Sequence, residues 1–427
     1  MSKSGILKLL CCSLLLTGGI VMAKADDNGA FSGYAPYSIY GVGDLFSGGS
    51  AYNMTMGGVG IASRNNRFVN TLNPAAVTAR DSLAFMSDFS LYQNNKIFRQ
   101  GSQYGVSNLV NINDIVISFP LFNHTAMMLG IKPYSSTGYD FSHYDVIPGM
   151  KGNLLHSYSG QGSLYQVFAS FGVNLFKNLN LGAEYIHYTG NLKKTYTQTF
   201  SDAAAIGIDK TEESILSANS AKFGIQYEQP VGKKLKFVLG ATYKLDARLN
   251  GYVNTTEKNG SIVTRTVSDT LAYRTEPLRL AAEAGIGLAV VYNRNFRAEV
   301  DYSRSDWSKA GFGTMDLFTP STAESYRIGF EYIPRPNDVR YYRNIIAYRA
   351  GAYFNKEYYR VNGQPVYARG LTFGVTLPVF QWYNGLTLGF EIGQRGSLKN
   401  DLVRETYFNF SLGINLFDIW FQQYRYE

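Results

Sequence analysis

Leu235-Lys236-Phe237-Val238-Leu239-Gly240-Ala241-Thr242-Tyr243-Lys244-Leu245-Asp246-Ala247-Arg248-Leu249 is the stretch that decides the fold. The odd positions from Leu235 to Leu249 are apolar, and the even ones carry Lys236, Lys244, Asp246 and Arg248. A period of two over fifteen residues is a strand with one greasy and one wet face. A helix would scatter those charges through its own apolar stripe. The pattern returns along the chain. Tyr165 to Leu175, Leu278 to Leu288, Phe296 to Tyr302, Tyr326 to Tyr332, Leu386 to Ile392 and Phe408 to Leu416 each alternate in the same way. With weaker segments the count reaches fourteen strands, at 82–92, 114–122, 124–133, 163–177, 179–189, 220–229, 234–250, 277–292, 295–306, 323–333, 345–357, 367–379, 385–395 and 405–420. An even number suits a single-chain transmembrane antiparallel β-barrel, so the expected class is all-β.

Connection lengths support this reading. Asn123-His124, Lys177-Asn178, Pro230-Val231-Gly232, Asn293-Arg294 and Tyr383-Asn384 read as tight turns, and Pro334 to Asn344 as a longer one on the same side. Between them lie polar stretches at 134–162, 190–219 and 251–276, read as long loops. Short periplasmic turns and long outer loops are the usual asymmetry, which places both termini in the periplasm. Tyr185, Tyr188, Tyr243, Tyr252, Tyr353 and Tyr358 sit near strand ends, where aromatic girdles are expected. A soluble sandwich or propeller would have shorter strands and a wet outer face.

The bulk composition agrees. Charged residues are 17%, Tyr and Phe number 33 and 27, and mean hydropathy is −0.14. Apolar residues are therefore plentiful but dispersed. Residues 1–25 read as a signal peptide: Lys3 and Lys8, an apolar run from Leu9 to Met22, then Ala23-Lys24-Ala25. That run is too short for a membrane helix. Both cysteines, Cys11 and Cys12, lie within it, so the remaining 402 residues hold no disulfide. Removing Lys3, Lys8 and Lys24 lowers the formal charge from +8 to +5 (8 − 3), without the basic run that a nucleic-acid partner requires. No cofactor is implied. The four histidines (124, 143, 156, 187) show no metal-ligand spacing, and no Gly-x-Ser-x-Gly surrounds a serine, so an enzyme is not expected.

Three stretches carry a family resemblance. Gly57-Gly58-Val59-Gly60-Ile61-Ala62 leads into Asn70-Thr71-Leu72-Asn73-Pro74-Ala75-Ala76; Glu299-Val300-Asp301-Tyr302-Ser303-Arg304-Ser305-Asp306-Trp307-Ser308 follows; then come Tyr326 to Tyr332 and Tyr348 to Tyr353. In order and spacing they resemble the FadL/TodX family of outer-membrane hydrocarbon and long-chain fatty acid transporters, with Ala76 where the family has Gly. The resemblance implies fourteen strands and an N-terminal segment folded into the lumen as a hatch. Hydrophobic small molecules would then be caught outside and released sideways through the wall.

The expected organisation is 1–25 signal peptide, 26–80 hatch or plug, and 81–427 barrel in the bacterial cell outer membrane. Partners are hydrophobic small molecules, outer-membrane lipids, and barrel assembly machinery during insertion, whose signal resembles the aromatic last strand ending Trp420-Phe421. A structural or secretion-system-associated barrel without small-molecule transport is the alternative.

By parity Lys236, Asp246, Arg248, Glu283, Arg297, Glu299, Asp301, Arg327, Glu331 and Glu391 face the lumen. They are expected to tie the hatch (through Asn73, Pro74 and Ala75) to the wall, and Arg297 or Arg327 is the candidate for meeting a fatty acid carboxylate. Trp307 and Phe312, in an outer loop, are candidates for a capture patch.

Overall fold

In the computed structural model the described residues are 34–46, 48–81, 83–146, 153–200, 207–260, 262–271, 277–313, 315, 317–379, 385–400 and 402–419. The signal peptide and the terminal Trp420-Phe421 lie outside them.

Fourteen strands form the wall. They are β1 Ala84–Gln100, β2 Gln103–Pro120, β3 Thr125–Val146, β4 Asn153–Phe176, β5 Leu179–Phe200 and β6 Ile208–Val231. β7 runs in three pieces, Leu235–Lys244, Ala247–Arg248 and Asn250–Asn259, and β8 in three more, Ile262–Thr270, Arg279–Leu280 and Glu283–Tyr292. β9 Phe296–Asp306, β10 Thr322–Tyr332, β11 Ala347–Val361, β12 Gln364–Pro378, β13 Gly385–Arg395 and β14 Arg404–Ile419 complete the set. Each strand pairs antiparallel with the next, and β14 returns to β1 with Ala84 opposite Ile419 and Arg99 opposite Arg404. This is a closed 14-strand barrel. Outward positions stay apolar and exposed, as at Leu239, Ile286, Val300, Leu371 and Leu412. Only lipid can cover such a continuous apolar surface, so the wall spans a membrane.

The fourteen strands are those expected, but the three long loops are not loops. β3 and β4 pair as far as Val146 and Asn153, β5 and β6 pair from Gln198 and Ile208 inward, and β7 and β8 pair as far as Asn259 and Ile262. These extensions lack a continuous exposed apolar face: 134–139 are buried on both faces, Leu192 and Leu216 are buried, and much of the rest is polar and half-exposed. Their strand character comes from Thr, Tyr and Val rather than from alternation, so a pattern-based reading stops at the membrane boundary.

Two parity assignments also change. The side-chain phase slips at Leu245-Asp246 and at Ala281-Ala282. Ala247, Leu249 and Leu280 therefore turn inward and are buried, whereas Asp246 pairs with Arg279 at the half-exposed rim and Arg248 is exposed. Tyr188, Tyr353 and Tyr358 also point inward, leaving Tyr185, Tyr243 and Tyr252 on the outer girdle.

Asn293-Arg294, both with positive φ (51° and 59°), make the two-residue turn between β8 and β9 whose twist matches the hairpin.

The lipid face can be tested at Leu412, midway along β14. Leu412→Arg is expected to destabilise the barrel by about 2–4 kcal/mol in vesicles and Leu412→Phe hardly at all. Urea unfolding reads the difference.

Candidate functional site

The first site element is the contact between the N-terminal segment and the wall. Residues 34–81 meet lumen-facing side chains of most strands. Asp301 on β9 accepts from the backbone N–H groups of Gly60 (2.6 Å) and Ile61 (2.9 Å). Thr372 Oγ1 accepts from Gly57 N at 2.7 Å, Arg327 Nη1 donates to Gly58 O at 3.0 Å, and Lys222 Nζ donates to Leu72 O at 2.5 Å. Arg297 donates to Arg64 O (3.0 Å) and Ser63 Oγ (3.3 Å), and is flanked by Glu299 at 3.1 Å and Glu331 at 3.7 Å. Arg349 joins Glu331 (2.7 Å) and lies over the Tyr52 ring at 4.4 Å. Arg64, in return, reaches Glu228 and Gln226 on β6.

Asn73 organises the exit from this segment. Its Oδ1 accepts from Ala75 N (3.0 Å) and its Nδ2 donates to Ile61 O (2.7 Å). It caps a short 3₁₀ helix, Pro74–Thr78, whose first residue is proline and needs no N–H partner. Asn73, Pro74, Ala75, Arg297, Glu299, Asp301, Arg327 and Glu331 are thus brought together around the segment.

Close approach requires a second, quieter device. Gly172, Gly182 and Gly224 face one another across β4, β5 and β6; Gly240 faces Gly287, Gly329 faces Gly351, and Gly374 faces Gly389. A Cβ at Gly182 would sit 2.3 Å from Ala75 N, at Gly240 2.2 Å from Ile61 O, and at Gly351 2.3 Å from Gly57 N. These inward glycines bring the segment's backbone against the wall's. In the sequence they stand as gaps in the wet face of each alternating stretch.

Trp307 and Phe312 do not form an exposed patch. Trp307 is 2% exposed, 4.6 Å from the Tyr358 ring and 6.3 Å from the half-buried Phe312. They belong to an apolar cluster with Tyr37, Tyr40, Leu249, Leu280 and Tyr359 at the long-hairpin end. An indole this large is better buried against inward aromatics than left in water.

Between this cluster and the segment lies a cavity of about 210 Å³, lined by Lys132, Lys222, Lys244, Glu184, Glu283 and Arg327 among others. Lys244 pairs with Glu283 at 2.9 Å. A neighbouring cavity of about 200 Å³ also includes Arg327.

Among the described residues the ladder is shortest between β2 and β3. β2 pairs with β3 only from Ile115 to Pro120, opposite Ile131 to Ala126. Beyond that point β3 makes its ladder with β4 alone, and the two-residue strand Asp44–Leu45 covers its free edge opposite Ser136 and Ser135. The cause is local. Pro133 has no N–H for a ladder, and Tyr134 is an extra residue in the β3–β4 register, so β3 bends there. Asn113 is the matching extra residue in β2, and it donates to Gly49 O at 2.9 Å. The seam cavity, about 200 Å³, is lined by Phe46, Ile112, Ile115, Ile131, Lys132 and Pro133 with three others. Arg395 holds the covering strand, with Nη1 and Nη2 at 2.9 and 2.6 Å from the two Asp44 oxygens and Glu405 behind at 2.7 Å.

Two substitutions test the seating. Asp301→Ala should strand two N–H donors and cost about 2–4 kcal/mol, read as a lowered Tm. Gly351→Val should displace residues 56–57 and expose the segment to limited proteolysis, whereas Ala350→Val, on the lipid face, should not.

Comparison with known proteins places this architecture. No curated protein matches the chain. Among solved structures it resembles the toluene transporter TodX of Pseudomonas putida (13% identity, 88% of this chain and 99% of that one, TM-score 0.60). It also resembles the toluene transporter TbuX of Ralstonia pickettii (12%, 86% and 98%, 0.56) and a FadL homologue of Pseudomonas aeruginosa (13%, 91% and 100%, 0.56). At such identities the likeness is one of fold. A family model described as BamG matches residues 6–427, nearly the whole chain, and the chain belongs to the BamG family.

Proposed function

We propose that this outer-membrane barrel passes hydrophobic or amphipathic small molecules sideways through the seam between β2 and β3, with residues 34–79 acting as a hatch. The observation that carries the reading is the seam: an apolar break in the wall covered by Asp44 to Phe46. Phe46, Ile112, Ile115, Ile131 and Pro133 suit a greasy chain. Lys132 lines both the seam and the larger lumen cavity, which also holds Lys222 and Lys244, so an anionic head group would find cations on its way inward. Arg297, engaged on every side by Glu299, Glu331 and the segment, serves the hatch instead, and Arg327 remains the arginine that reaches both lumen cavities. The names of the TodX and TbuX neighbours as toluene transporters favour the same ligand class. The long hairpins face outward in this reading and both termini lie in the periplasm.

A second reading has its own support. The edge of β2 from Gln103 to Asp114 is unpaired towards β3, and such an edge can accept a strand of another barrel. Together with the BamG family match this favours a role in barrel assembly.

Filling the seam separates the two. In proteoliposomes, Ile112→Trp with Ile115→Trp is expected to cut uptake of a labelled long-chain fatty acid at least tenfold, and Arg395→Ala, which frees Asp44, to raise it. Unchanged uptake in both, with a stoichiometric protein partner after gentle extraction, would move the assignment to assembly.

A further inference from the structure

The histidine spacing in the sequence gives no metal motif, because twelve residues lie between His143 and His156. The register changes this. His143 on β3 and His156 on β4 are direct cross-strand partners, and Asp145, two residues further along β3, shares their face. The two imidazoles stack with centroids 4.9 Å apart and planes 9° from parallel. Asp145 Oδ2 is 3.3 Å from His156 Nε2 and 3.9 Å from His143 Nε2, and ligand atoms of all three lie within 4.8 Å of one another.

His156 is the organised member. Its side chain is 13% exposed, and its Nε2 is buried without a hydrogen-bond partner. Its Nδ1 meets Tyr196 Oη, on β5, at 2.6 Å. A partner on one ring nitrogen fixes the ring and directs the other nitrogen's lone pair, as around metal-bound histidines. In a tetrahedral site with bonds of about 2.0–2.1 Å, donor atoms stand about 3.4 Å apart. The Asp145–His156 pair is already at that spacing, and the His143 side chain, 51% exposed, is free to rotate in.

We propose that His143, Asp145 and His156 form a binding site for a divalent transition metal such as Zn²⁺. Two imidazoles and a carboxylate select this class over Ca²⁺ or Mg²⁺. The site bridges the β3–β4 hairpin beyond the membrane-facing wall. β3 is also the strand whose other edge borders the seam, so a bound ion ties that edge strand more firmly to β4.

The test uses the untagged full-length chain in detergent. Titration with Zn²⁺ by calorimetry should show one saturable equivalent. His143→Ala, Asp145→Asn and His156→Ala should each weaken binding at least tenfold, while His124→Ala and His187→Ala leave it unchanged. With Cu²⁺, paramagnetic resonance should report two nitrogen ligands in the unsubstituted chain and one in His143→Ala. Heat-modifiable migration on a gel checks that every variant remains a folded barrel. The absence of saturable binding, or equal binding by folded His156→Ala, overturns the site.

Discussion

A length of irregular chain can lie inside a barrel only if the barrel answers its backbone. Each N–H and C=O of such a segment needs a partner, and few waters remain where the packing is tight. Here the wall supplies partners one at a time: Asp301 for Gly60 and Ile61, Thr372 for Gly57, Arg327 for Gly58, Lys222 for Leu72. The charges gathered on the inner face thereby acquire a reason. They are ligands for a peptide backbone before they are anything else, and the balance of signs around Arg297 and Glu331 keeps the buried set nearly neutral.

The same answering fails deliberately at one place. Pro133 and the extra residues Tyr134 and Asn113 bend β3 away from β2, and the loss of ladder bonds is partly met by Asp44–Leu45. Two ladder pairs and an Asp44–Arg395 clamp replace what elsewhere is a pairing of nine residues or more. The β2–β3 ladder is therefore the shortest in the wall among the described residues, and Ile112, Ile115 and Ile131 line the break.

Much of this is legible in the sequence. The fourteen alternating segments appear because one face of each strand meets lipid, and lipid imposes a strict pattern on residues such as Leu239 or Ile286. Where lipid ends, so does the pattern, which is why the long hairpins read as loops and why parity puts Ala247 and Leu280 on the wrong face. Asp301 and Arg297 are visible as polar residues at inward parity, and Asn73 through the Asn73-Pro74-Ala75 stretch that carries the resemblance. Lys132, Lys222 and the Asp44–Arg395 clamp were not singled out, since their meaning lies in what they reach across the lumen. Trp307 shows the limit of reading exposure from loop position: the loop folds its indole inward against Tyr358.

The paired inward glycines carry one more implication. Gly182, Gly240 and Gly351 let the segment touch the wall so closely that no side chain fits between them, and the long-hairpin end holds an aromatic cluster. Residue 81 leads almost at once into β1, and β1 is the strand that meets β14. The residues packed against the inner wall and the strand that closes the ring are thus consecutive in the chain, so the seating of the one fixes where the other begins.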